Sequence, residues 1–293
     1  MDYEAIIIGG SYAGLSAALQ LARARRRILV IDEGLRRNRF AETSHGFLTR
    51  DGERPEIIAS EARSQLMAYP TVEWLDARAD DARKSEGGFS VTAGGEELAA
   101  KRLVLATGVR DHLPEIPGLI ERWGKSVFHC PYCHGYELNR GQVGVIGVSA
   151  LSMHHALMLP DWGPTTLLLN DAFRPDEEQA GQLAARGVTI EETPISSIGG
   201  HGEIRLQDDR ALSFAGLFVL SRTELASPIP EQLGCALEDG PVGKFIRTDM
   251  TQQTSIPGVF ACGDAARAAG SVAISVGDGA MAGAGTHRSL MFG

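Results

Sequence analysis

The chain has 293 residues, 43% of them hydrophobic and 22% charged, which excludes a disordered chain and leaves room for two domains around sizeable cores. Its 28 Lys and Arg against 37 Asp and Glu give a net charge of -9, a field that repels nucleic-acid phosphates and anionic membranes, so neither is expected as a partner. Glycine is abundant, 35 residues or about 12% against a usual ~7%, as in α/β folds whose turns approach phosphates.

The opening Asp2-Tyr3-Glu4 is acidic and runs directly into Ile6-Ile7-Ile8, whereas a secretory leader needs a basic start and a longer apolar stretch. No apolar run nears the ~18 residues of a membrane span. The expectation is a soluble, cytoplasmic protein. Ile6-Ile7-Ile8 reads as a buried strand, Gly9-Gly10-Ser11-Tyr12-Ala13-Gly14 as a tight turn, and Leu15, Ala18, Leu19 and Ala22 as one face of a helix. A second strand, Ile28 to Ile31, ends in Asp32-Glu33, and Asp32 lies 23 residues after Gly9. This is the layout of a dinucleotide site: the glycines admit a pyrophosphate to the helix N-terminus and the acid receives the ribose hydroxyls. The candidate contacts are Gly9, Ser11, Ala13, Gly14, Asp32 and Glu33. Ser11 stands where the motif has its second glycine, a small residue that still fits. Arg36, Arg37 and Arg39 just beyond read as solvated side chains, although phosphate is within their reach.

Further along, Val127-Phe128-His129-Cys130-Pro131-Tyr132-Cys133-His134-Gly135 pairs two of the four cysteines at CxxC spacing. Two thiols so placed can close a small disulfide, and one at the start of a helical turn has its thiolate stabilised. A structural zinc would need two more ligands, and Cys235 and Cys262 stand alone, so no metal is expected. Cys130 to His134 also spells the C-x-x-C-H of covalent haem attachment, which usually accompanies export. A redox pair is the favoured reading over these and over two packed core cysteines. His129 and His134 flank the pair, and an imidazole titrating near neutrality can move the thiol proton either way.

Val143 to Ser152 repeats strand and turn, eroded to G-x-S-x-x-S, with Asn170 ending the next strand 23 residues after Gly147. Pro160 and Asp161 stop its helix early. Beyond it, Arg174 is the one cation among Asp171, Asp176, Glu177 and Glu178, a poor seat for a 2'-phosphate. Binding of NADPH, and of NADH, at this second site is therefore doubtful.

The glycine turn at Gly9, Leu105-Ala106-Thr107-Gly108, the CxxC and Gly258-Val259-Phe260-Ala261-Cys262-Gly263-Asp264 occur in the order found in the low-molecular-weight thioredoxin reductase family, which the chain resembles over nearly its whole length. The resemblance implies an α/β fold of two Rossmann-like domains, the second inserted into the first. It places an FAD-binding domain at 1–112 and 237–293 and a pyridine-nucleotide-binding-like domain with the CxxC at 113–236. It further implies that Ala106, Thr107 and Gly108 line the flavin nucleotide and that Gly263 and Asp264 bond its ribityl and phosphate portion. Val272 and Ala273 would approach the isoalloxazine, while Asn38 and His45 belong to the cofactor side. By the same resemblance Cys133 faces the flavin and Cys130 exchanges with substrate, with His134 where the reductases carry an aspartate.

Within the family, Cys133-His134-Gly135 and the degenerate second site are similar to the dithiol oxidases that close the disulfides of gliotoxin and holomycin. That implies a small dithiol as substrate, oxygen as acceptor, peroxide as product and a homodimer. A reductase of thioredoxin or a small disulfide, and a non-catalytic flavoprotein, are the competing expectations.

Overall fold

A computed structural model describes residues 2–293. Along β1 (Tyr3–Ile8), Ile6 and Ile8 face one core while Ala5 and Ile7 face another, and all four are buried. A strand covered on both faces needs no polar alternation, which explains the continuous apolar run. The chain continues as α1 (Tyr12–Arg23), β2 (Ile28–Asp32), α2 (Pro55–Met67), β3 (Val72–Asp76), β4 (Ala79–Ser85), β5 (Gly88–Ala93) and β6 (Glu96–Leu105). The sheet order is β3-β2-β1-β6-β5-β4. β1, β2, β3 and the second half of β6 run parallel, whereas β4 and β5 form an antiparallel hairpin on the first half of β6.

β7 (Val109–His112) leads out of this unit. There follow β8 (Val127–Phe128), α3 (Pro131–His134), β9 (Val143–Ile146), α4 (Ser152–Met158), β10 (Thr165–Leu168), α5 (Glu177–Ala185), β11 (Thr189–Glu191), β12 (Ile195–Gly199), β13 (Glu203–Leu206), β14 (Ala211–Ser213) and β15 (Gly216–Val219). A second parallel sheet is ordered β11-β10-β9-β15-β8. Met153, Ala156 and Leu183 of its helices cover one face. Ile198, Ile204 and Leu206 of the antiparallel β12-β13-β14 meander cover the other.

β16 (Arg222–Leu225) returns antiparallel to β7, so the chain leaves and re-enters through one two-stranded ribbon. α6 (Ile229–Gln232), β17 (Leu237–Asp239) and β18 (Lys244–Ile246) follow, then β19 (Val259–Ala261), which joins the first sheet beside β6, and α7 (Val272–Phe292). Ile229, Leu233 and Cys235 pack with Ile6, Leu103 and Val259. The first core thus resumes before residue 237, because α6 already carries an apolar face for it. α7 lies on α1, where a Cβ at Gly279 would come 2.1 Å from the Ala13 carbonyl oxygen. Among the described residues no helix is long and apolar enough to cross a membrane.

Candidate active site

Three neighbouring parallel strands, β1, β6 and β19, end side by side, and the segments after them are the glycine turn, Ala106-Thr107-Gly108 and Cys262-Gly263-Asp264. Ligands of α/β sheets sit at such carboxyl ends. Gly9 adopts φ +103°, and a Cβ there would stand 2.2 Å from the Ala106 carbonyl oxygen; one at Gly14 would stand 1.8 Å from the carbonyl oxygen of Gly9. Ser11 has an ordinary extended conformation, φ -88°, and its hydroxyl does not cap α1. The missing second glycine therefore costs nothing, and the first-turn N–H groups, Ala13 among them, stay available to an anion. Asp32 accepts the Gly10 N–H at 2.9 Å through one oxygen, leaving its second oxygen for a hydroxyl, while Glu33 points to solvent.

Around this cradle two buried polar atoms lack a protein partner, Thr107 Oγ1 and Asn38 Oδ1. Asn38 is turned inward by its Nδ2 bond to the Tyr12 hydroxyl, 3.1 Å. Gly263, φ +70°, packs on Ala13. Val272 and Ala273 begin α7, behind the Ser271 cap. Asp264 is not a helix cap: it accepts Arg37 Nη1 at 2.8 Å.

Pro131 starts α3 with Cys130 as its N-cap residue, so both sulfurs lie on one short turn. The Cys133 thiol faces Cys130 and donates to its sulfur. That bond, helped by the backbone N–H groups of Cys133 and Tyr132 and by the Arg37 charge, lowers Cys130 to about 7. Cys133, whose proton is held on its neighbour and which is also desolvated, moves the opposite way. The pair therefore shares one proton near neutrality.

The flanking histidines correct a sequence expectation. His134 stacks on Phe128, centroids 4.3 Å apart, and burial, with a contribution from His45, pushes it down to about 4. His129 is also lowered, mainly by burial and then by Arg37. Desolvation penalises the charged ring in both, so each favours the neutral, proton-accepting form, and His134 does not titrate near neutrality. His45 binds Thr43 Oγ1 at 3.0 Å and reaches Glu137 at 3.4 Å, which brings it beside the CxxC turn and not into the glycine cradle.

Sequence reasoning missed Arg37. Instead of being solvated it grips both oxygens of Asp111 with Nε and Nη2, 2.8 and 2.6 Å, and Asp264 with Nη1. Ser221 donates to the same Asp111 at 2.6 Å. These partners are 74 and 227 residues from Arg37 in the chain, so no local pattern could have marked them.

The second glycine turn is built differently from the first. Ser152 Oγ accepts the Val148 N–H at 3.0 Å and Ser149 Oγ the Leu151 N–H at 3.3 Å. Asn170 turns its side-chain oxygen to the Ile195 N–H, 2.9 Å, and Arg174 is exposed. Two backbone donors of this turn, the Val148 and Leu151 N–H groups, are thus taken by serine oxygens.

A turn able to seat a dinucleotide on one Rossmann-like unit and a dithiol on the other define a flavin-linked disulfide oxidoreductase. Residues 3–281 match the family model described as pyridine nucleotide-disulphide oxidoreductase, and the chain belongs to that family, whose thioredoxin-reductase-like members depend on FAD. It is 33% identical to the thioredoxin reductase tcpT of Claviceps purpurea, over 89% of this chain and 86% of that one. Among solved structures it is similar to an oxidoreductase from Agrobacterium tumefaciens, 56% identical with a TM-score of 0.97 and covering 100% of this chain and 99% of that one. It is similar also to HlmI, 34% identical with a TM-score of 0.91, over 99% and 92%. The chain is thus a thioredoxin-reductase-like disulfide oxidoreductase. The unpartnered Thr107 and Asn38 atoms and the glycine cradle fit FAD.

Proposed function

We propose that this enzyme is a dithiol oxidase: one small-molecule dithiol and one O2 become one disulfide and one H2O2. The observation that carries the reading is the contrast between the two glycine turns, one with no side-chain cap on its helix and the other with its Val148 and Leu151 N–H groups taken by Ser152 and Ser149. A chain that keeps its FAD cradle and CxxC while serine oxygens compete for the donors of its second turn is suited to take electrons from thiols.

Gly9, Ser11, Ala13 and Gly14 would hold the pyrophosphate, Asp32 the ribose, and Asn38, Thr107, Gly108 and Asp264 the remaining polar edges. Bound FAD supplies the two-electron acceptor for the reduced cysteine pair and, once reduced, the donor to oxygen. The protein's own step is exchange. A substrate thiolate attacks Cys130, the Cys130–Cys133 bond breaks, and Cys133 leaves as a thiolate. The second substrate thiolate then attacks the substrate sulfur of the mixed disulfide, and Cys130 leaves. The backbone N–H groups of Cys133 and Tyr132 and the Arg37 charge favour the Cys130 thiolate as it leaves. The neutral His129 and His134 rings can accept the substrate protons in passing, and Tyr132 and Tyr136, exposed beside the pair, offer flat apolar surface to a small substrate.

Anaerobic titration of the yellow protein tests this. A small dithiol is expected to bleach the flavin, NADH and NADPH are not, and air should restore the colour with peroxide release. Cys133→Ser should keep FAD and lose dithiol bleaching more than about 100-fold. Rapid bleaching by a nicotinamide would place the chain with the reductases of thioredoxin or small disulfides, and no bleaching by either reagent would make it a binding flavoprotein. A homodimer belongs to the same proposal; a monomer mass in light scattering would remove it.

A further inference from the structure

We propose that Arg37 is a positioning residue: gripping Asp264 at the flavin site and Asp111 at the interdomain ribbon, it fixes the cysteine pair against the flavin. The inference deepens the oxidase reading of the same site.

Arg37 lies in the segment after β2 and belongs to the first unit. Asp111 sits on β7 and Ser221 directly before β16, the two strands through which the inserted unit is attached. Asp264 comes from the other end of the chain, after β19. One guanidinium thus ties together three segments whose relative placement decides where Cys133 meets the cofactor. Its planar fork uses three nitrogens on two carboxylates, a match lysine cannot reproduce. Asp111 is only 9% exposed in this pair. A buried ion pair adds little net stability, but its directional bonds suit it to selecting one geometry.

Two more ties come from the same short segment. Phe40 packs on Gly124, where a Cβ would stand 2.7 Å from the Phe40 Cβ, and His45 reaches Glu137, just past the CxxC turn. Residues 37–45 therefore touch the inserted side at its ribbon, its base and its redox turn. Arg37 is the only one of the three that also reaches a flavin-side carboxylate.

The test is anaerobic, single-turnover bleaching by dithiothreitol of FAD-loaded wild type, Arg37→Met, Asp111→Asn, Arg37→Lys and the Met/Asn double variant. Dithiothreitol closes its own disulfide, the Cys130–Cys133 bond opens, and the two electrons go on to the flavin. A misplaced pair should slow bleaching at least about tenfold in Arg37→Met and Asp111→Asn. Arg37→Lys should recover part of the rate, and the double variant should be no slower than the slower single variant. The first phase of air reoxidation of each dithionite-reduced protein, in which the reduced flavin gives its electrons directly to oxygen, should keep the wild-type rate. Asp111→Asn leaves Asp264 untouched, so it decides the matter if Arg37→Met loses FAD. Wild-type bleaching rates in Asp111→Asn, or reoxidation slowed as much as bleaching, would overturn the proposal. Wild-type bleaching without peroxide in air would overturn the oxidase reading alone, and a wild type that dithiothreitol cannot bleach would overturn both.

Discussion

At Cys130 a hydrogen bond from its partner thiol outweighs the cost of burial and brings the group to about 7 from an ordinary 9. Alkylation by iodoacetamide follows thiolate, so in the reduced Cys133-containing protein its rate should rise through a midpoint near pH 7. Cys133→Ser removes the largest influence that lowers Cys130, the Cys133 sulfur, and should move that midpoint upward. A midpoint that stays near 9 in the wild type would mean that the pair does not share its proton. The neighbouring histidines act differently from their sequence pattern: His134 is held neutral by its seat against Phe128, so near neutrality the titrating group of this turn is a sulfur.

At the level of elements, the β1–α1 turn works because Gly9 and Gly14 let three backbone segments meet. Gly14→Ala would drive a Cβ into the Gly9 carbonyl oxygen, 1.8 Å away. Such overpacking costs about 1–3 kcal/mol, and its whole effect falls on the pyrophosphate seat. FAD affinity is expected to drop at least about tenfold, read by flavin fluorescence on reconstituting apoprotein, with the circular dichroism of the fold retained. Unchanged affinity would show that the turn is not the pyrophosphate seat.

For the molecule as a whole, acid stability is set in part by His155, buried at 4% exposure beside Phe218 and His129. Burial, with the nearby His129 and His154, lowers it to about 3 from an ordinary 6.5. The unfolded chain therefore binds this proton first as pH falls, and the stability present above pH 6.5 drains away toward pH 3. Between pH 7 and pH 5 the linkage amounts to about 2 kcal/mol. Urea unfolding should lose about that much more in the wild type than in His155→Gln; equal losses would show that the ring finds a compensating partner.

The sequence by itself determined the two strand-turn-helix units, the acid at Asp32 and the CxxC spacing, because each rests on neighbours within about thirty residues, where spacing maps directly onto local geometry; the order of motifs along the whole chain added the resemblance that implies FAD. It also marked the eroded second turn, though not its cause, which is a pair of serine oxygens occupying backbone donors. Tertiary structure alone decided the rest. Arg37 reads as one of three solvated arginines until Asp111 and Asp264 are brought to it, and His45 as a cofactor-side histidine until Glu137 meets it. The protonation of His134 likewise follows from burial against Phe128. Charge and desolvation depend on what surrounds a side chain in space, and that is fixed only when segments hundreds of residues apart are packed together.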